Sequence, residues 1–108
     1  GWISTLMNNS NGTFRPCLHY EAGSIINSIA AGDFNNDGNN DLAAVDFALN
    51  LVAVFQNNGS GSFLPHVDFG TGGHPFSVVA ADFNNDVYDD LALANVQFDR
   101  GEWKPRKR

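Results

Sequence analysis

Residues 28–45 read SIAAGDFNNDGNNDLAAV and residues 77–94 read SVVAADFNNDVYDDLALA, so ten of eighteen aligned positions are identical at an offset of 49. The self-similarity reaches further. Asn8, Asn9, Gly12, Phe14 and Pro16 return as Asn57, Asn58, Gly61, Phe63 and Pro65, each again 49 residues on. A chain written this way does not build one indivisible core. It builds a unit, builds it again, and buries each against its neighbour. Residues 1–49 make the first repeat, 50–98 the second, and 99–108 a basic C-terminal tail outside the period.

Within one period the texture is that of strands. Leu51 to Phe55 is an apolar run stopped by Gln56-Asn57-Asn58-Gly59, and His66 to Phe69 alternates until Gly70-Thr71-Gly72-Gly73. Short β-rich runs bounded by Gly, Asn, Asp and Pro predict strands joined by turns. The expected strands are 2–7, 18–22, 27–33, 41–47, 51–56, 66–70, 76–82 and 90–97. No apolar pattern of helical spacing outlasts eight residues, so no helix is expected. Leu42-Ala43-Ala44-Val45 and Leu51–Phe55 are apolar on both faces, which suits strands held between neighbouring sheets. The fold class expected is all-β: two tandem four-stranded antiparallel repeats, with one complete unit flanked by two half-units.

At the heart of each copy, oxygen-bearing side chains fall on alternate positions. They are Asp33, Asn35, Asp37 and Asp41, then Asp82, Asn84, Asp86 and Asp90. Alternate side chains of a tight loop surround one centre, and hard carboxylate and amide oxygens suit Ca²⁺, which takes about six to eight oxygens at about 2.3–2.6 Å. Neither loop contains His or Cys, which argues against zinc or copper. The carbonyls of Asn39 and Tyr88 are expected to add a backbone oxygen each, giving one Ca²⁺ per loop. An EF-hand is excluded, because its closing Glu position holds Ala44 or Leu93 and the flanks are strand-like. Val87 stands where Gly38 sits, and a β-branched residue resists positive φ, so the second loop is expected to bind more weakly. Asp89 is expected to face solvent.

Asp-Phe-Asn-Asn-Asp-Gly-x-x-Asp-Leu resembles the calcium loop of the FG-GAP/VCBS repeats, which form the β-propeller of integrin α chains and of many secreted proteins. Phe69-Gly70 followed by Gly73-His74-Pro75 is similar to a degenerate form of the motif that named them, and Tyr20-Glu21 with Ser24-Ile25-Ile26 has lost it. The resemblance covers residues 1–98 and implies one four-stranded propeller blade per repeat, with a calcium loop between its first two strands. It also implies an adhesive, ligand-recognising or lectin-like role outside the cell, without chemistry of its own.

Two periods cannot close a propeller, which takes about four to eight blades, and about three repeats are needed before stacked faces are covered. Partners expected are therefore further copies or further repeats of the same protein, joined by strand addition into a ring or filament. The chain lacks an initiator Met and a signal peptide, so it is expected to be a processed form or a fragment. Residues 1–99 carry eleven acids against Arg15 alone, a net of −10, and 100–108 carry five bases against Glu102, a net of +4. An acidic body argues against nucleic-acid binding, and the basic tail suits a contact to an acidic neighbour. Cys17 is the sole cysteine and is expected to be a buried, inert thiol. The sequons at Asn8, Asn11 and Asn58 would accept glycans in a secreted protein. Exposed aromatics at Trp2, Tyr20, Tyr88 and Trp103 would serve a lectin-like alternative. An enzyme is not expected: His19, His66 and His74 lack repeat equivalents and no nucleophile motif accompanies them.

Overall fold

The computed structural model describes residues 1–96 and the backbone of 98–99 and 102–103. The expected docking of the basic tail and the side chain of Trp103 lie outside the described residues. Among the described residues every regular element is a strand and every strand pair is antiparallel. Strands β1 (Trp2–Thr5) and β2 (Leu18–Glu21) pair. Strands β3 (Ile26–Gly32), β4 (Asp41–Asp46), β5 (Leu51–Phe55) and β6 (Val67–Gly70) form a four-stranded sheet in sequence order. Strands β7 (Pro75–Ala81) and β8 (Asp90–Asn95) pair, and β9 (Phe98–Asp99) pairs with β10 (Glu102–Trp103). Each of the first eight ends within two residues of its expected place.

The 49-residue offset holds in space as well as in sequence. β1 and β2 correspond to the outer strands β5 and β6, and β7 and β8 to the inner strands β3 and β4. The bridges Asn8↔Phe14 and Asn57↔Phe63 are equivalent. So are the backbone bonds from Arg15 N to Met7 O at 2.8 Å and from Leu64 N to Gln56 O at 2.9 Å. One whole sheet thus stands between an outer half and an inner half. No sheet closes on itself among the described residues.

Burial follows from the two-faced apolar runs. One face of the central sheet presents Ala44, Ala53 and Phe55, which pack with Ile3 and Ala22 from the preceding half. Tyr20 meets Phe55 and Phe63 edge-on, with ring centroids 6.1 and 5.5 Å away. The opposite face presents Ala43, Val45 and Val52, all buried, toward the half-sheet β7–β8, where Val78 is buried too. Small side chains permit this approach: a Cβ added to Gly32 would sit 3.1 Å from the Ala80 Cβ. Burying a side chain as large as Phe55 contributes about 2–3 kcal/mol.

Candidate metal centre

The two acidic loops join equivalent strands, β3 to β4 and β7 to β8, and repeat one hydrogen-bond scheme. Asp33 Oδ1 accepts from Asp37 N at 3.2 Å and its Oδ2 from Gly38 N at 2.8 Å. Asp82 does the same with Asp86 N at 3.2 Å and Val87 N at 2.9 Å. Asp37 accepts from Asn39 N at 2.9 Å, and Asp86 from Tyr88 N at 3.1 Å. These carboxylates supply acceptors to a loop too tight for β-ladder pairing, which is why Asp and Asn are needed there. The chain turns through left-handed residues, with φ of 57° at Asn36 and 84° at Gly38, then 61° at Asn85 and 70° at Val87. Val87 therefore follows the glycine's path, and carries the strain of doing so.

The amides of the second alternate residue point inward. One terminal atom of the Asn35 amide lies 3.1 Å from Asp33 Oδ1 and 3.0 Å from Asp37 Oδ1. In the second loop the Asn84 amide lies 3.1 Å from Asp82 Oδ1 and 2.8 Å from Asp86 Oδ1. With nitrogen inward, each amide donates to both carboxylates.

The fourth position differs between the loops. Asp41 is buried and ties its own loop to the segment after β5, its Oδ2 accepting from Phe34 N at 3.0 Å and its Oδ1 from Asn57 N at 2.8 Å. Asp90 keeps the first bond, from Phe83 N at 3.1 Å. The position matching Asn57 is 106, outside the described residues. Asp82, Asp86 and Asp90 each bring an oxygen within 4.8 Å of the others, and among the described residues this is the gathering of three such groups that the structure contains. Asp33, Asp37 and Asp41 are less tightly drawn together, and Asn57 N holds one oxygen of Asp41.

The backbone keeps key carboxylates ionised. The bond from Asn39 N holds Asp37 below the usual carboxylate range, with the Asn35 amide adding to it. Desolvation pushes Asp82 up, but N–H groups of Val87, Asp86 and Asn85 outweigh it and the net shift is downward. Several negative charges in one small loop favour a cation. The donor set, carboxylate and amide oxygen without nitrogen or sulfur, fits a hard divalent ion.

Two aspartates outside the alternation carry structural duties that spacing did not reveal. Asp89, expected to face solvent, is instead half-buried: its Oδ2 accepts from Asp33 N at 2.9 Å, while its own N–H donates to Asp33 O at 3.1 Å. It joins the second loop to the first. Asp46, at the end of β4, is fully buried and accepts from four backbone N–H groups, those of Ser24, Ile25, Ala48 and Leu49. Burial pushes its carboxyl up and those four bonds bring it below the usual range. Cys17 is exposed rather than buried, with its sulfur 3.3 Å from His19 Nε2. Asn8, Asn11 and Asn58 are all exposed. Of the aromatics, Trp2 and Tyr88 are exposed, whereas Tyr20 is packed against Phe55 and Phe63.

Stacked antiparallel units, each with an oxygen-lined loop after its first strand, define an all-β repeat protein. Residues 33–93 match the FG-GAP-like repeat family over more than half the chain, and the chain belongs to that family. No curated protein and no solved structure matched it.

Proposed function

We propose that this chain is a calcium-stabilised extracellular repeat module with a structural or adhesive role, in which each period is one propeller-type blade and further blades complete the assembly. The observation that carries the reading is the inward amide, built twice. Asn35 and Asn84 each hold an amide terminus within 3.1 Å of two carboxylate oxygens. Nitrogen inward ties the loop by hydrogen bonds; oxygen inward makes the same side chain a cation ligand. The ligands would be Asp33, Asn35, Asp37 and Asp41 with the Asn39 carbonyl, and Asp82, Asn84, Asp86 and Asp90 with the Tyr88 carbonyl. Asp41 and Asp90 retain lone pairs beyond their backbone bonds. Bound calcium would supply the positive charge that offsets the clustered carboxylates. Family membership supports the extracellular setting, and exposure of Asn8, Asn11 and Asn58 is compatible with glycans.

Calorimetric titration of chelator-treated protein with CaCl₂ tests this, with one site per loop expected. Asp82→Asn with Asp86→Asn should remove the second site alone. At a hundredfold excess over Kd each site adds about 2.7 kcal/mol of stability, so EDTA lowers the melting temperature. No binding heat at millimolar calcium, with melting unchanged by EDTA, refutes the reading.

A further inference from the structure

We propose that the groove between β5–β6 and β8, with the free edge of β8 beside it, receives the β1–β2 pair of a second copy of this chain. This rests on reading each period as a blade, and it names the partner that completes one. The groove is a cavity of about 360 Å³ lined by Val52, Val54, Phe69, Leu91 and Leu93, with Phe34 at its margin. Among the described residues β8 pairs with β7 alone and β1 with β2 alone. One period earlier the equivalent place is filled. There Ile3 and Tyr20, which match Val52 and Phe69, are covered by Ala53, Phe55 and Phe63. Those covering residues come from β5 and the turn after it, and among the described residues no strand pairs with the other edge of β8.

None of the described residues fills the gap. The segment aligned with β5 reads Arg100-Gly101-Glu102-Trp103-Lys104, without the apolar run, and Glu102–Trp103 pairs with Phe98–Asp99 in a separate sheet. An outer half of the right kind does exist, as β1–β2. The β4–β5 register is Leu42↔Phe55, Ala43↔Val54, Ala44↔Ala53, Val45↔Val52 and Asp46↔Leu51. Shifted by 49 residues, it pairs Leu91, Ala92, Leu93, Ala94 and Asn95 with Leu6, Thr5, Ser4, Ile3 and Trp2 of the second copy.

This register gives exposed apolar side chains the neighbours that their counterparts have. Phe69, Leu6 and Phe14 are 55%, 55% and 56% exposed. Their counterparts Tyr20, Phe55 and Phe63 pack together within the chain. On the next face Ile29 is 52% exposed whereas its counterpart Val78, covered by the central sheet, is 6% exposed. The same association lays Ile29 of the second copy over Val79. The contact joins unlike surfaces, so it propagates head to tail into a ring or fibre.

A disulfide trap reads the register. In a Cys17→Ser background, Thr5→Cys and Ala92→Cys proteins are mixed and oxidised. Directly opposed residues bring their Cα atoms to about 4.5–5.5 Å, within disulfide span. Cross-linked heterodimer is expected at least tenfold above the yield when Ser4→Cys replaces Thr5→Cys, since that side chain points to the opposite face. Light scattering should give the unmodified chain a multiple of its own mass, and Phe14→Asp should lower that mass with the circular dichroism of strands retained. A folded monomer at high concentration overturns the proposal, as does an oligomer that shows no preference for the Thr5–Ala92 link. Both measurements are repeated in EDTA. In-register cross-linking by a protein that shows no calcium heat and no EDTA effect on melting leaves this proposal standing while removing the calcium clamp, and calcium binding by a folded monomer does the reverse.

Discussion

Gly38 and Val87 occupy one position in two copies of the same loop, and exchanging them isolates a backbone cost. Both residues are left-handed, at φ 84° and 70°. For a residue with a Cβ that region costs about 1–2 kcal/mol, with β-branched residues at the upper end. A Cβ added at Gly38 meets nothing within 4 Å, and valine already occupies the equivalent turn position at Val87, so the loss expected from Gly38→Val is conformational. Glycine's extra freedom in the unfolded chain returns about 0.5–1 kcal/mol, leaving a net destabilisation of about 1 kcal/mol. Val87→Gly runs the other way. Val87 is 65% exposed, so losing its side chain forfeits little burial. The expected gain is about 0.5–1 kcal/mol, or about 2–8 °C in Tm for a domain of this size. Urea denaturation in EDTA, with unchanged m-values, measures both variants free of any bound ion. A destabilised Val87→Gly, or a Gly38→Val as stable as the parent, refutes the assignment of strain to this turn.

Asp46→Ala removes the acceptor of four N–H groups and should cost about 3 kcal/mol, read as a drop in urea midpoint. Because Asp46 titrates below 3.8 when folded, the unfolded chain binds the proton first. Its contribution is complete above that value and disappears as pH falls through the lower folded one. The parent should therefore lose stability more steeply than Asp46→Asn in acid melting experiments. Asp89→Ala should cost about 1 kcal/mol and speed hydrogen exchange at the Asp33 amide, whose acceptor it removes. Phe55→Ala should cost about 3–5 kcal/mol, measured as equilibrium unfolding, because Phe55 is buried against Ile3, Ala22 and Tyr20.

The strands were legible because the period exposes them: the same residue types at the same offset mark the same turns twice. The acidic alternation was legible for the same reason, and so was the positive φ at Gly38. Asp46 and Asp89 were not: the Asp46 bonds to Ser24 and Ile25 span 22 and 21 residues and the Asp89 bond to Asp33 spans 56, distances that no local spacing encodes. Aligned with Asn95 and Asn40, they even break the repeat. The exposure of Cys17 was hidden too, because it depends on which surface of the first half-sheet a neighbour covers. Asp41 was identified as an oxygen donor, but its bond to Asn57 N appears only when β5 is seen to end beside it.

Asp33 and Asp89 exchange a reciprocal pair of bonds across two loops. A stretched chain of such modules would first yield where one loop meets the next. Tension reaching one hairpin is handed to the next at this latch, in shear, before either pair of strands can peel. The weakest link under load then lies between units rather than inside them, and every unit survives its neighbour's detachment intact.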